Sequence, residues 1–287
     1  MSQSLSTSKV LEGKTAVVTG ASEGIGKACV EAYAAAGARV VAISRNPEKL
    51  SQAFDQYRGQ VFQLPLDLLT IEGGDSVVPK SVELLGHIDI FHGNVGSYLG
   101  GKLLDHSKEA IRNATRLNYG VQKDNIHDAV SHMVERGKGG QILLTSSWAA
   151  HVDTLWEENY ASDKAALNKF ARIVHRQYSD QGIRISTISP AATATALFEG
   201  WPEEKKKAQL EDGMTMPKDV ADAAMTILTS SAYIPDIPLI PPTFSVERVI
   251  TQEARASERR LLTQNPPEEL QKALLAAKHG YEYTPKM

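Results

Sequence analysis

Tyr160 and Lys164 are four positions apart in the stretch NYASDK, and Ser147 precedes the tyrosine by thirteen residues. On a helix, positions i and i+4 share one face, so this spacing puts the lysine ammonium beside the phenol. A neighbouring cation favours the phenolate, which predicts a lowered pKa for Tyr160 and a side chain that can exchange a proton with a substrate. Tyr-x-x-x-Lys also occurs by chance on surface helices, so its meaning depends on the elements around it.

A glycine-rich turn follows the apolar run 15–18 and precedes a segment of helical period at 27–36. In this order of strand, turn and helix, Gly20 permits a tight turn and Gly24 lets the backbone approach a phosphate. Gly26 allows the helix to pack closely on the strand, so that a pyrophosphate can lie at the helix N-terminus. The pattern predicts a dinucleotide site, whose turn also contains Ser22, Glu23 and Ile25.

In order and spacing, the motifs resemble the short-chain dehydrogenase/reductase family over about residues 10 to 245. The motifs are TGASEGIG from Thr19, Asn94-Val95-Gly96, Asn118, Ser147 and Tyr160-x-x-x-Lys164. The resemblance implies an α/β fold, a Rossmann-type doubly wound parallel sheet of about seven strands in a single domain, with the cofactor across the carboxyl ends of the strands.

The same resemblance assigns the catalytic roles. Tyr160 is the acid/base, Ser147 donates a hydrogen bond to the substrate oxygen, and Lys164 holds the nicotinamide ribose. Asn118 positions Lys164 through a water. The thirteen-residue spacing to the tyrosine selects Ser147 over Ser146.

A narrower resemblance, to the ribitol dehydrogenases, lies in residues 89–101, 156–157, 196–202 and 213–217. It implies a sugar alcohol or ketose as substrate. Two alternatives stay open: a carbonyl reductase for a bulkier apolar ketone, and a cofactor-binding protein without catalysis. The expected substrate contacts are Ser97, Tyr98, His151, Trp156, Glu157, Phe198 and Trp201.

Cofactor choice depends on Ser44-Arg45-Asn46, which ends the second predicted strand. Ser44 stands where the ribitol dehydrogenases have an aspartate for the ribose hydroxyl, and the Arg45 guanidinium can bind a 2′-phosphate. We therefore expect NADP(H) over NAD(H). A solvated Arg45 with mixed cofactor use is the alternative, and Glu23 argues against a phosphorylated ribose. By resemblance, further cofactor contacts are Asp67, Leu68, Asn94, Val95, Gly96, Tyr160, Lys164, Pro190, Thr193 and Thr195.

Composition limits the function classes. A formal net charge of -3 and a pI near 6.3 give no electrostatic case for nucleic acid or an anionic membrane. Cys29 is the single cysteine and the eight histidines show no ligand spacing, so no metal site is expected. Without an apolar signal core or a long apolar run, we expect a cytoplasmic protein. The resemblance adds a homodimer or homotetramer.

Apolar runs alternate with segments of helical period, which predicts βαβ units and a parallel sheet. The expected organisation is a flexible N-terminus at 1–10, the catalytic domain at 11–245 with a lid at 193–213, and a helical C-terminal extension at 246–287. The extension either packs on a neighbouring subunit or is a frayed appendage. Asp163, next to Lys164 but turned about 100° from it on a helix, is interpreted as structural.

Overall fold

The computed structural model of the protein describes residues 9–154, 156–195, 204, 207 and 213–241. Most of the predicted lid and the whole C-terminal extension at 246–287 lie outside the described residues. Two of the predicted substrate contacts, Phe198 and Trp201, also lie outside them.

A parallel sheet of seven strands forms the centre, in the order β3-β2-β1-β4-β5-β6-β7. Each apolar run predicted as a strand lies in it, and the seventh strand completes the count that the resemblance implied. The strands are β1 (Thr15–Thr19), β2 (Arg39–Ser44), β3 (Val61–Pro65), β4 (Ile90–Gly93), β5 (Gly140–Thr145), β6 (Ile183–Pro190) and β7 (Asp236–Leu239).

Helices cover both faces of the sheet, as expected for a doubly wound fold. They are α1 (Gly24–Ala35), α2 (Pro47–Phe54), α3 (Ile71–Asp75), α4 (Val77–Leu85), α5 (Lys108–Thr115), α6 (Val121–Arg136), α7 (Glu158–Tyr178) and α8 (Pro217–Thr229). One core joins α1, α2 and α8 to one face of the sheet, and a second joins α4, α6 and α7 to the other. No helix in the described part of the chain has the length and apolarity needed to cross a bilayer.

Local signals explain why the elements begin and end where they do. Asn46 caps α2 by accepting the backbone N–H of Lys49 at 2.7 Å, and Pro47 occupies the first turn. Gly137 ends α6 in the left-handed region, with φ of 65°. The strands β1 to β6 all run in one direction, so their carboxyl ends meet along one edge, where the predicted site residues gather.

Candidate active site

The turn between β1 and α1 has the shape of a phosphate cradle. Gly20 and Gly24 adopt φ of +64° and +54°, which side chains rarely tolerate. A Cβ on Gly26 would lie 2.2 Å from the carbonyl oxygen of Gly20, so this position requires glycine for close packing. No side chain caps the N-terminus of α1 among the described residues, which leaves its first N–H groups directed at the turn. These features fit the pyrophosphate of a dinucleotide.

A second turn, after β4, is tied to the first. Asn94 donates its Nδ2 hydrogens to the carbonyl oxygens of Thr19 and Gly20 at 3.0 and 3.1 Å. The Thr19 hydroxyl oxygen accepts the backbone N–H groups of Asn94 and Val95, each at 3.0 Å. Gln122 donates to the carbonyl of Val95 at 2.6 Å from the other side. The ends of β1 and β4 are therefore held in one arrangement.

Lys164 lies deep in the site, 2% exposed, and donates from Nζ to the carbonyl oxygen of Thr145 at 2.8 Å. Burial lowers the pKa of Lys164 to about 8, and the neighbouring Asp163 carboxylate raises it in part. A Cβ on Gly96 would lie 3.5 Å from Nζ, so the absence of a side chain at Gly96 leaves space between the turn after β4 and the lysine.

Tyr160 and Lys164 share a face of α7, as the spacing predicted, with the lysine Nζ 5.6 Å from the centre of the phenol ring. The predicted lowering of the Tyr160 pKa is wrong for this structure. Burial raises the pKa of Tyr160 to about 12, a hydrogen bond with Ser147 lowers it in part, and the charge of Glu157 raises it. The phenol is therefore protonated near neutral pH.

The two serines before the tyrosine face different groups. Ser147 is buried beside Tyr160 and caps a short 3-10 turn, Trp148–Ala150, by accepting the backbone N–H of Ala149 at 3.1 Å. Ser146 points its hydroxyl at the carbonyl oxygen of Lys164, 3.5 Å away. This geometry agrees with the choice of Ser147 as the serine next to the phenol.

Asn118 occupies a π-helical turn, Arg116–Gly120, between α5 and α6. Its side chain accepts the backbone N–H of Ser97 at 2.8 Å and donates to the carbonyl of the same residue at 2.9 Å. A Cβ on Gly96 would lie 3.1 Å from the Asn118 oxygen, so the amide and Lys164 flank the same glycine. The structure thus places Asn118 beside the turn that the lysine faces.

Asp163 is buried, 8% exposed, although the helical rotation directs it away from the phenol. Burial raises its pKa, and hydrogen bonds with Thr115 and Asn118 lower it, as does the charge of Lys164. Among the described residues, its Oδ2 atom has no hydrogen-bond partner. Asp163 therefore acts on the lysine electrostatically as well as packing between helices.

Aromatic and acidic side chains line the substrate side. The rings of Tyr98 and Tyr160 meet edge to face with centres 5.4 Å apart. Burial raises the pKa of Tyr98, and the Glu157 carboxylate raises it further. The backbone N–H of Gly101 donates to the carbonyl of Trp156 at 2.5 Å, which ties the loop after β4 to the segment before α7. Four predicted substrate residues, Ser97, Tyr98, Trp156 and Glu157, thus come together.

His151, also predicted to reach substrate, is engaged elsewhere. Its Nε2 atom lies 3.1 Å from both the Ser189 hydroxyl and the Asp236 carboxylate. Ser189 in turn donates to the other oxygen of Asp236 at 2.8 Å. His151 ends the 3-10 turn that Ser147 begins, so these contacts fasten the serine turn to β6 and β7.

Ser44 ends β2, and Arg45 and Asn46 follow it, as predicted. The hydroxyls of Ser22 and Ser44 lie 2.9 Å apart, which joins this strand end to the phosphate turn. Arg45 is exposed. Lys49 donates to the Glu23 carboxylate at 2.8 Å, an ion pair that the sequence analysis did not foresee.

The remaining predicted cofactor contacts also lie at this edge. Asp67 accepts the backbone N–H of Leu69 at 3.0 Å in the turn after β3, where Leu68 is buried. Pro190 ends β6, and Thr195 lies against the phosphate turn, since a Cβ on Gly24 would be 3.0 Å from its methyl carbon. Thr193 bonds Thr215 through the two hydroxyls at 2.7 Å.

Three residues that position the site were missed from the sequence: Thr19, Gln122 and Thr145. Each makes a hydrogen bond in which a backbone group is the donor or the acceptor, and such contacts leave little pattern in a single sequence. Thr19 alone had a signal, as the first residue of the glycine motif. No group of three or more His, Cys, Asp or Glu side chains suited to a metal ion occurs among the described residues.

Comparisons with known proteins agree with this geometry. A model of the short chain dehydrogenase family matches residues 14–206. An uncharacterized oxidoreductase of Staphylococcus aureus (strain MW2) is 28% identical over 227 residues, 78% of this chain and 95% of the relative. The 7alpha-hydroxysteroid dehydrogenase of Escherichia coli (strain K12) is 29% identical over 230 residues, 77% of this chain and 89% of that enzyme.

Among solved structures, a short-chain type dehydrogenase/reductase from Mycobacterium marinum superposes with a TM-score of 0.74 and 27% identity, over 80% of this chain and 95% of that one. The matched family model covers the glycine turn and the segment with Tyr160 and Lys164. The chain therefore belongs to the short-chain dehydrogenase/reductase family, and it is an oxidoreductase of the kind that uses NAD(P)(H).

Proposed function

We propose that this protein is an NADP(H)-preferring oxidoreductase that interconverts a secondary alcohol and a ketone, with a sugar alcohol and its ketose as the substrate pair. The observation that carries the proposal is the group around Tyr160: a buried phenol with Ser147 on one side and Tyr98 and Glu157 on the other. This group of side chains combines a proton donor, the phenol of Tyr160, with neighbouring hydrogen-bonding groups.

Tyr160 is the acid/base in this proposal. With its pKa raised to about 12, the phenol keeps its proton near neutral pH and can donate it to a ketone oxygen during reduction. In the reverse direction the phenolate accepts the alcohol proton. The bound cofactor supplies or takes up the hydride at the substrate carbon. Ser147 donates a hydrogen bond to the same oxygen, and the positive charge of Lys164 favours the phenolate as it forms.

The polarity of the pocket supports a polyhydroxylated substrate. A hydroxyl that is buried without a partner is costly, so a polyol needs acceptors and donors near the reacting carbon. Glu157 supplies carboxylate oxygens beside the two phenols. The resemblance to the ribitol dehydrogenases in this same stretch points to the same class.

A carbonyl reductase for a bulkier apolar ketone is the second candidate. The aromatic residues Tyr98, Trp148 and Trp156 offer apolar surface near the site, and the E. coli relative is a hydroxysteroid dehydrogenase. A panel of pentuloses and hexuloses against cyclic and steroid ketones, each with NADPH and with NADH, distinguishes the two. Turnover of the ketoses supports the first candidate, and turnover of apolar ketones alone supports the second. Tight cofactor binding without any turnover would favour the non-catalytic alternative.

The NADP(H) preference is supported by charge at the adenosine side. Arg45 is exposed at the end of β2, and Glu23, which argued against a phosphorylated ribose, is paired with Lys49. This ion pair offsets the Glu23 carboxylate charge, and the exposed Arg45 guanidinium can then bind a 2′-phosphate. Ser44 offers a hydroxyl where a carboxylate would repel the phosphate.

Substitution of Arg45 tests this preference. We expect Arg45→Gln to lower kcat/KM with NADPH by roughly tenfold or more and to leave kcat/KM with NADH unchanged, because only the 2′-phosphate loses a charged partner. Arg58→Gln is the matched control, because it also removes one positive charge but at a position beyond the helix α2. Equal losses with both cofactors would contradict the role of Arg45.

The dimer or tetramer, the cytoplasmic location and the packing role of residues 246–287 stay predictions.

A further inference from the structure

A chain of buried polar side chains runs from the helix α1 to the catalytic end of the sheet. The hydroxyl of Tyr33 lies 2.9 Å from Nδ1 of His92, and Nε2 of His92 lies 3.0 Å from the hydroxyl oxygen of Thr145. The Thr145 hydroxyl donates to the side-chain oxygen of Asn94 at 2.9 Å. Tyr33 and His92 are fully buried, and Thr145 is 6% exposed.

The direction of every hydrogen bond in this chain follows from one end. Because Asn94 gives its Nδ2 hydrogens to two backbone carbonyls, its oxygen must face Thr145. Thr145 has one hydroxyl hydrogen and gives it to Asn94, so it can only accept from His92. His92 is therefore the tautomer with hydrogen on Nε2, and its bare Nδ1 accepts the hydroxyl of Tyr33.

Thr145 links this chain to the catalytic lysine. Its hydroxyl orients Asn94 in the cofactor turn, and its carbonyl oxygen accepts the Lys164 ammonium at 2.8 Å. One residue thus contacts both the turn after β4 and the lysine on α7. Burial lowers the pKa of His92 to about 3, so the ring stays neutral and keeps a single hydrogen to donate.

We propose that His92 is a positioning residue for cofactor binding: its Nε2–H fixes the hydroxyl of Thr145, which in turn orients Asn94. The inference rests on the proposed cofactor contact of Asn94. The Tyr33 hydroxyl matches this tautomer by donating to the bare Nδ1. A ring with its hydrogen on Nδ1 would instead present a bare Nε2, which would draw the Thr145 hydroxyl away from Asn94.

Two double variants isolate the donor. In Y33F/H92Q the glutamine amide places an N–H near the former Nε2 and retains a donor for Thr145, whereas Y33F/H92L removes it. Both lack the Tyr33 hydroxyl, so neither leaves that group buried without a partner. The dissociation constant is measured by fluorescence titration without substrate, with whichever of NADPH and NADH binds the wild type more tightly. Thermal denaturation of each variant gives the stability for comparison.

We expect Y33F/H92L to bind the cofactor roughly two- to tenfold more weakly than Y33F/H92Q, the range for one neutral hydrogen bond. Equal dissociation constants, with a difference in melting temperature alone, would show that His92 only supports the core and would overturn the proposal. A wrong substrate class or cofactor preference leaves this comparison unaffected, since the titration contains no substrate and uses the better-bound cofactor.

A spectroscopic measurement on the wild type needs no variant to fold. Nitrogen-15 NMR of the histidine rings reports which nitrogen carries hydrogen. We expect the fully buried ring to be neutral with hydrogen on Nε2 at neutral pH, both in the wild type and in Tyr33→Phe, where a hydrogen on Nδ1 would be buried without an acceptor. A wild-type ring with hydrogen on Nδ1 would contradict the hydrogen-bond directions on which the proposal depends.

Discussion

Around Thr19 and Asn94, side chains bond to backbone groups, whereas around Tyr98 and Tyr160 they pack against one another. In the first region, which we propose binds the cofactor and call the cofactor half, the partners are strand ends whose positions follow from the sheet register. In the second, which we propose binds the substrate and call the substrate half, each contact depends on the identity of the neighbouring side chain. The cofactor half is therefore constrained by the fold itself, while single substitutions in the substrate half can change the pKa values and the polarity that a substrate meets.

The largest effect is expected from Tyr160→Phe. Removing the hydroxyl removes the proton exchanged with the substrate, so kcat should fall by roughly 10²- to 10⁴-fold. Cofactor affinity, measured by fluorescence titration, should fall far less than kcat, because the two turns after β1 and β4 keep their arrangement. Tyr178→Phe removes a hydroxyl from the far end of the same helix and serves as the control. Near-normal turnover of Tyr160→Phe would remove the tyrosine from the mechanism.

Gly26→Ala tests the cofactor half. The added Cβ would lie 2.2 Å from the Gly20 oxygen and 2.9 Å from the Ala21 Cα, both backbone atoms that cannot easily move. We expect a loss of about 1–3 kcal/mol in the free energy of unfolding and weaker cofactor binding. Gly59→Asn is the control, since no atom lies within 4 Å of its Cβ position and asparagine tolerates its φ of +84°. If both variants behave alike, the close packing of the turn is unimportant.

Lys164 connects the two halves and gives a pH-dependent signature. Its pKa is about 8 in the folded protein and near 10.5 when unfolded. Between these values the unfolded chain binds more protons, so this group makes folding more favourable as pH rises from about 8 to 10.5. The difference in unfolding free energy, wild type minus Lys164→Met, should increase by up to about 3 kcal/mol over that interval.

Denaturant titrations of both proteins at pH values across this interval measure the difference directly. Because other buried groups titrate in both proteins, they cancel in the subtraction. A difference that does not change with pH would mean that the lysine keeps an ordinary pKa and is more hydrated than its burial indicates.

The smallest effect is expected from Glu157→Gln in the substrate half. The carboxylate raises the pKa of Tyr160, so its neutralisation should move the phenol titration to lower pH, by less than burial moves it upward. The pH profile of kcat/KM reports the shift. Glu158→Gln changes the adjacent residue and is the matched control. An unchanged profile would show that the charge of Glu157 does not affect the pKa of Tyr160.

The cofactor half could largely be predicted from the sequence, because glycine positions and strand ends report backbone geometry. Gly20 has the positive φ of a tight turn and Gly26 has the close packing that their spacing indicated, while the approach of a phosphate to Gly24 stays a prediction. The parallel sheet and its number of strands followed from alternating periodicity together with the family resemblance. The pattern of a single sequence did not reveal contacts such as those of Thr145, whose hydroxyl and carbonyl oxygen bind residues on different elements.

Depth and distant partners explain what the spacing could not predict. The four-residue spacing correctly put Tyr160 and Lys164 on one face of α7, but spacing does not report burial, and burial raises the pKa of the phenol. The substrate contact expected for His151 stays a prediction, and its partner Asp236, on the last strand of the sheet, was not foreseen. Such a pairing depends on tertiary packing, which short-range spacing does not encode.

The hydroxyls of Thr193 and Thr215 lie 2.7 Å apart and join the two ends of the connection from β6 to α8. Two backbone hydrogen bonds and two side-chain hydrogen bonds join the two ends, which are 22 positions apart in the chain where β6 leads toward α8. For a connection whose ends are already joined, doubling its length costs only about 0.6 kcal/mol of closure entropy. Segments of different length could therefore be grafted between these threonines without changing the sheet or the helix α7.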